Sequence, residues 1–272
     1  MTERVALVTG CSSGIGRAAA LALSHAGFTT YATARRPETL ADLEAEGCRT
    51  LTLDVSDEPQ RVDAVRTVER DHGGLDVLVN NAGYAQYGPA EEIPLDLWRR
   101  EFETNLFGAV RLTQLVLPGM RERGHGRIIN MSSMGGRLAF PLGAPYHGSK
   151  FALEAVSDVL RVEVAPFGID VVLIEPGLVD TGYADTASSG LHEAAEGPYG
   201  DLARSFLAAM ASRYGGRQAT TPEHVARVVV RAATARRPRT RYPITLNARL
   251  LMAGRALLPD RMWDALLRRT FR

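Results

Sequence analysis

Short apolar runs alternate with helix-length segments along most of this chain, and that alternation restricts its fold more than any other feature. Strand candidates fall at residues 5–9, 29–34, 51–55, 77–80, 127–131, 170–175 and 242–245. Helical segments lie between them at about 14–26, 37–46, 58–72, 97–122 and 146–165, with another at 223–235. The sixth strand is the most apolar and β-branched, with Val171-Val172-Leu173-Ile174. Strand–helix–strand repetition means crossover connections, so the pattern predicts an α/β fold: a doubly wound parallel sheet with helices on both faces. No repeat, low-complexity run or linker divides the chain, and residues 1–272 are expected to form a single domain.

Bulk composition excludes several classes of function. Apolar residues make up 45% and charged residues 23%, as in ordinary soluble proteins. A net charge of +1 gives no electrostatic case for nucleic-acid binding. The charge is uneven, however: residues 231–272 hold eleven arginines against Asp260 and Asp264, so +9 there and −8 elsewhere. The two cysteines, Cys11 and Cys48, have no metal-ligand spacing and suggest no disulfide framework, and no metal is expected. Without a signal-like leader or a run of about 18 apolar residues, a cytoplasmic location is expected.

Two local patterns carry chemistry. Thr9-Gly10-Cys11-Ser12-Ser13-Gly14-Ile15-Gly16 joins the first strand to the first helix, where doubly wound folds bind dinucleotides. Glycines allow backbone to approach a pyrophosphate, and a helix N-terminus offers free N–H groups. The spacing is GxxxGxG rather than GxGxxG, so a plain turn before a helix also fits. The second pattern involves Lys150, the only lysine among 32 lysine and arginine side chains, four residues after Tyr146. Residues at i and i+4 share a helix face, and a nearby ammonium favours phenolate, which makes a tyrosine usable as a general acid/base. YxxxK alone does not separate that role from two surface residues at a common spacing.

Together these motifs resemble the short-chain dehydrogenase/reductase family in its single-domain, Rossmann-like form, over about residues 5–182. Thr9 to Gly16 resembles its cofactor loop, Asn80-Asn81-Ala82-Gly83 its segment after the fourth strand, and Pro176-Gly177 with Thr181 its segment after the sixth. Asn105, Ser133, Tyr146 and Lys150 follow the order and spacing of its catalytic tetrad. Residues around Ser149 to Glu154 and Pro166 to Gly168 are similar to hydroxysteroid and retinol dehydrogenase-type members. The resemblance implies that Tyr146 passes a proton to or from the substrate oxygen and that Lys150 lowers the tyrosine pKa and holds the nicotinamide ribose. It also implies that Ser133, rather than Ser132, polarises the carbonyl, and that Asn105 binds a water linking Lys150 to solvent. His147 is expected to face elsewhere on the helix. Implied cofactor contacts are Gly10, Ser12, Ser13, Gly14, Ile15 and Gly16; Asp54, at the adenine or capping its own turn, with Val55; Asn81, Ala82 and Gly83; and Pro176, Gly177, Val179 and Thr181, besides Tyr146 and Lys150.

Cofactor choice turns on the end of the second strand. An acid there suits the ribose hydroxyl of NAD, an arginine the 2′-phosphate of NADP. The run Thr33-Ala34-Arg35-Arg36-Pro37 has no acid before Glu38 and predicts NADP(H), with Arg35 the main phosphate contact and Arg36 helping. Ser13, where some NADP-dependent relatives carry a basic residue, points the other way. Residues 183–217 are expected to form a substrate lid, with Leu142, Leu178, Tyr183, Phe206, Leu207 and Met210 as an apolar wall for a steroid-, retinoid- or otherwise lipophilic alcohol or ketone. Residues 247–272 read as amphipathic helices packing on the domain or a partner subunit, with contact to an anionic membrane surface the less favoured reading. Homodimers or homotetramers built on the two long helices are the family expectation. The choice left open is an NADP(H)-dependent alcohol dehydrogenase or ketone reductase against a dinucleotide-binding scaffold without turnover.

Overall fold

A computed structural model describes residues 4–180, 189–214 and 219–271. Seven strands, β1 (Arg4–Val8), β2 (Phe28–Ala34), β3 (Arg49–Thr52), β4 (Val77–Asn80), β5 (Gly126–Met131), β6 (Ile169–Pro176) and β7 (Arg241–Ile244), form one sheet in the order β3-β2-β1-β4-β5-β6-β7. Every neighbouring pair is parallel. The order reverses beside β1, so the connections that leave the C-terminal ends of β1 and β4 run to opposite sides and leave a crevice there, as the alternation predicts.

Helices cover both faces. On one, α1 (Gly14–His25) packs through Ala19, Ala20 and Leu23 beside α9 (Pro222–Thr234), whose Val225, Val229 and Ala232 are buried. On the other lie α3 (Glu58–His72), α5 (Gly108–Arg123) and α6 (Ala144–Val164), with Val68, Leu112 and Val164 in a second core cluster. The predicted 97–122 helix is one uninterrupted rod of three parts: α4 (Leu95–Phe102), a π-helical turn at Glu103–Phe107, and α5. The segment after Pro37 is a 3-10 turn, Pro37–Leu40, leading into the short α2 (Ala41–Ala45).

The third strand begins and ends earlier than predicted. Leu53 and Val55 are buried in the second cluster, so their apolar signal runs beyond the ladder. By Asp54 the backbone has left the strand, and its N–H donates to Gln60 Oε1 at 2.8 Å. In the expected lid stretch, α7 (Ser189–Ala194) and α8 (Gly200–Tyr214) are helical, while 181–188 and 215–218 lie outside the described residues. The C-terminal stretch forms α10 (Leu246–Leu257) and α11 (Asp260–Thr270).

A buried polar chain ties the sheet to α5 and α6 below the crevice. Asn80 Nδ2 donates to Asn130 Oδ1 (2.9 Å) and to Thr113 Oγ1 (3.2 Å), and Asn130 Nδ2 donates to Ser157 Oγ (2.9 Å). Such groups are tolerable inside only while paired. Replacing Asn130 by leucine should destabilise the protein by about 1–3 kcal/mol, read as a lower urea midpoint at unchanged slope. An unaltered midpoint would show that the chain contributes nothing.

Candidate active site

The crevice is a cleft of about 1020 Å³ at the C-terminal ends of β1, β4, β5 and β6. At one end stands the loop into α1. Gly10 has φ +73, and a Cβ there would stand 2.8 Å from the Ala82 Cα. A Cβ on Gly16 would collide with the Gly10 carbonyl and the Asn81 amide. These two glycines are therefore fixed by close packing of the loop on the Asn81-Ala82 segment. Asn81 Nδ2 donates to the Thr9 carbonyl (2.9 Å), and the N–H groups of Asn81 and Ala82 donate to Thr9 Oγ1 (3.0 and 2.9 Å). Ser13 precedes α1 in extended conformation and makes no side-chain cap, so it leaves the first-turn N–H groups of α1 uncapped. A glycine-walled loop over an uncapped N-terminus fits a dinucleotide pyrophosphate.

Almost every expected cofactor residue lines this cleft, from Gly10 and Ser12 to Val55, Gly83, Pro176 and Val179. Arg35, exposed after Ala34 at the end of β2, is on its wall, whereas Arg36 is not among the lining residues and its carbonyl instead accepts from Thr39. Asp54 lines the cleft while its Oδ1 caps its own turn, accepting from Ser56 N–H and Oγ at 2.9 and 2.6 Å. Thr181 and Tyr183 lie outside the described residues.

Deeper in, Ser132, Ser133, Tyr146 and Lys150 meet on the same wall. Lys150 is buried, and its Nζ donates to the Met131 carbonyl at the end of β5 (2.8 Å). Burial pulls the ammonium down to about 8, although the charges of Glu101 and Glu154 hold it up. Ser133 Oγ accepts from the Gly135 N–H at 3.0 Å, which leaves its own proton for another acceptor. Ser132 Oγ is buried.

Asn105 lies in the π turn, and protein groups engage both ends of its amide. Oδ1 accepts from the Tyr84 N–H (3.0 Å); Nδ2 lies within donating distance of the Tyr84 carbonyl (2.9 Å), Ser149 Oγ (3.0 Å) and Glu101 Oε1 (3.2 Å). A Cβ on Gly83 would stand 2.9 Å from Asn105 Oδ1 and 3.5 Å from Lys150 Nζ, so Asn105 sets the strand-β4 loop against the lysine. His147, expected to face elsewhere on the helix, is instead buried on the wall of the same cleft, its ring 5.6 Å from that of Tyr146. Its Nδ1 bonds the Gly135 carbonyl (2.9 Å) and its Nε2 accepts from the Phe140 N–H (3.1 Å), a pairing that fixes a neutral tautomer. Burial lowers its pKa further.

Sequence reasoning missed Glu101. It is fully buried on α4, its Oε2 accepts from the Gln86 N–H (3.1 Å), and burial pushes its carboxyl up to about 8 against the pull of Gln86, Lys150 and Asn105. The available signal was its position on the inner stripe Leu97, Glu101, Asn105, Ala109, an acid at core spacing. Also missed were Glu154 and Glu175, buried behind Lys150 and bridged by Arg241, whose Nε is 3.0 Å from Glu154 Oε2 and 3.2 Å from Glu175 Oε1. Burial, then the charge of Glu154, raises Glu175 to about 7.

A second cavity of about 340 Å³ adjoins the cleft, sharing Tyr87, Met134, Phe140, Gly177 and Leu178 with it. Of the predicted apolar wall, Leu178, Phe206 and Met210 line this cavity, and Leu142 and Leu207 pack in the cluster behind it. The rest of the wall comes from α10 and the C-terminus, through Leu250, Leu251 and Phe271.

Comparison with known proteins agrees with this arrangement. Residues 4–191 match the family model for short chain dehydrogenases. The chain is 36% identical to an uncharacterized oxidoreductase, YusZ, of Bacillus subtilis strain 168, covering 99% of both. It is 35% identical to the NADPH-dependent 3-dehydrocapnine reductase of Ornithobacterium rhinotracheale (96% of this chain, 95% of that one) and 33% identical to the 3-ketodihydrosphingosine reductase of Bacteroides thetaiotaomicron (98% of each). Among solved structures, a short-chain dehydrogenase from Streptomyces avermitilis superposes with a TM-score of 0.80 at 34% identity, over 98% of this chain and 95% of that one. A closed serine dehydrogenase complexed with NADP+ gives 0.77 at 29% identity, over 88% and 94%. The chain is an oxidoreductase of the short-chain dehydrogenase family, a family that binds a nicotinamide dinucleotide.

The two buried groups beside the cleft give stability a defined pH course. Between 4.5 and about 8 the folded chain keeps the Glu101 proton that the unfolded chain releases, so stability falls as pH rises. Glu175, raised to about 7, adds a fall of the same sign. Between about 8 and 10.5 only the unfolded chain keeps the lysine proton, and stability rises again. Urea midpoints should therefore dip near pH 8, and Glu101→Gln should remove on the order of 2–4 kcal/mol of the fall while preserving the alkaline rise. A midpoint flat from pH 5 to 8 in wild type would contradict this.

Proposed function

We propose that the protein is an NADP(H)-dependent oxidoreductase interconverting a secondary alcohol and a ketone, or an alcohol and an aldehyde, on a lipophilic molecule. The observation that carries this reading is the burial of the chain's one lysine at the cleft wall, a helical turn beyond Tyr146. A protein that only held a dinucleotide could use the lysine, but would need no proton-transfer group such as Tyr146 on the same wall. The bound nicotinamide would supply or accept the hydride. In reduction, the Tyr146 hydroxyl gives its proton to the substrate oxygen; in oxidation it takes the proton back. Lys150, while charged, stabilises the phenolate left behind. Ser133 Oγ–H donates to the same oxygen, where negative charge develops. Asn105 and Glu101 act by positioning the Gly83–Tyr84 loop and Lys150.

NADP(H) is favoured over NAD(H) because Ala34 stands where an acid would bind the ribose and Arg35 follows it on the cleft wall. The name of the 3-dehydrocapnine reductase, which specifies NADPH, and the NADP+ in the serine dehydrogenase structure support this choice. A ketone fits the 3-keto and 3-dehydro substrates in the names of two relatives, and the second cavity's lining, with Phe140, Leu178, Phe206 and Leu251, suits an apolar body. Exposed Phe107, Phe151, Val159 and Val162 on the α4–α5 rod and α6 support pairing of copies along these helices.

The test is NADPH oxidation by purified protein over a panel of lipophilic ketones and aldehydes. At least one should be turned over, and Tyr146→Phe should lower kcat by on the order of a thousandfold with little change in cofactor affinity. Equal inertness of both proteins across the panel would favour the binding-only reading. Lys150→Arg keeps the charge, yet its wide fork cannot hold the Met131 carbonyl in the same space; most turnover should be lost, and near-normal activity would reduce the lone lysine to coincidence. Arg35→Asp should raise the KM for NADPH at least about tenfold and leave that for NADH nearly unchanged; equal effects would overturn the cofactor assignment.

A further inference from the structure

The chain's last two helices close the apolar cavity with one face and leave the other apolar as well. Inward, Ala248, Trp263 and Phe271 are buried, and Leu251 lines the cavity. Outward on α10, Leu246, Leu250, Ala253 and Leu257 recur at i, i+4, i+7 and i+11, a single stripe. Its leucines are 68%, 62% and 84% exposed, far more than a helix packed only on its own domain needs. On α11, Met262 and Leu266 are 57% and 46% exposed and lie one turn apart. Exposed arginines flank these stripes: Arg249 on α10, and Arg261, Arg268 and Arg269 on α11. The acids of these helices are Asp260, ion-paired with Arg255, and Asp264.

Apolar stripes bordered by arginines are the composition of a helix pair that lies in the plane of an anionic lipid surface. A second copy of the chain is a poorer occupant, since two-fold pairing would set this basic face against itself. Among the described residues no helix is long and apolar enough to cross a membrane, so contact would be at the surface. Leu250 connects the outside to the site: it is exposed, and it also lines the cavity that adjoins the cleft.

We infer that α10 and α11 dock the protein on an anionic lipid surface, and that the cavity opens beside Leu250 to take its lipophilic substrate from that surface. The delivery route rests on the reductase reading above; the docking does not. Full-length protein should co-sediment with phosphatidylcholine vesicles containing about a third phosphatidylglycerol and not with phosphatidylcholine alone, with binding weakened by high salt. Two variants outside the cavity wall test the surface: Leu246→Ser with Leu257→Ser and Met262→Ser, and Arg261→Glu with Arg268→Glu and Arg269→Glu. Each should lower vesicle binding at least about tenfold while turnover of a short, water-soluble ketone stays within about twofold. Wild type that ignores anionic vesicles, or charge-reversed protein that binds them as wild type does, would overturn the docking. So would sedimentation analysis in which the serine variant alone dissociates a dimer, since the face would then belong to a second copy. Vesicle binding without reduction of any ketone would leave the docking standing and sink the reductase reading.

Discussion

The bond from the Lys150 ammonium to the Met131 carbonyl is the constraint around which the site is assembled. An ammonium taken out of water is costly unless its surroundings answer its charge. Here the direct partner is a neutral carbonyl, and the two carboxylates that favour the charge, Glu101 and Glu154, reach it from different helices. Holding the lysine therefore requires α4, α6 and the end of β5 to keep one arrangement. The tightness shows in the glycines: side chains at Gly83 or Gly136 would press on Asn105 and Lys150, or on Ser132 and the Lys150 carbonyl. Arginine would satisfy the charge but not the space, which gives the lone lysine of a chain otherwise supplied with arginine its physical reason.

The same burial makes the neighbouring acids reluctant anions. Glu101, raised to about 8, meets Lys150, lowered to about 8, across Asn105. Near neutrality one proton more or less in this pair alters the field at the phenol, so the lysine's charge depends on more than Tyr146 and bulk pH. Removing Glu101 would leave only the charge of Glu154 to oppose burial and would lower the Lys150 pKa further. The proposed tuning of Tyr146 would thus extend to Glu101, a residue outside the cleft lining.

The fold was largely legible because its signals are local. Each strand is a short apolar run and each crossover a helix, and Gly10, Tyr146 and Lys150 occupy fixed places on that frame. Legibility failed where burial decides. Leu53 and Val55 are core residues but not strand residues, which misplaced β3. Glu101, Glu154 and Glu175 look like ordinary helix or strand acids until the packing that raises or confines them is known. The π turn at Asn105 carries no residue signature of its own, because Glu103–Phe107 continues the helical pattern on either side without a glycine or proline. The cavity wall was half visible: Leu178 precedes α7, and Phe206 and Met210 lie in α8, whereas Phe271 arrives from the far end of the chain.

That distant contribution is not loosely attached. Arg241 opens β7 and reaches back to α6, with both Asp158 oxygens at 2.7 Å and Glu154 one turn nearer Lys150. The register of β7 on β6 is thereby referred to the same helix that carries Tyr146 and Lys150. Thr245 then turns the chain with φ +76 and caps α10 through Ala248, and its Oγ1 would stand 2.6 Å from any Cβ at Gly177. Gly177 is consequently glycine for a reason beyond cofactor approach: the helix that walls the apolar cavity is seated on it. A change at Arg241 would act on both sides at once, loosening the carboxylate pair behind Lys150 and the placement of Leu250 and Leu251. The wall of the apolar cavity and the helix turn of Tyr146 and Lys150 therefore share one reference frame, although some hundred residues of sequence separate them.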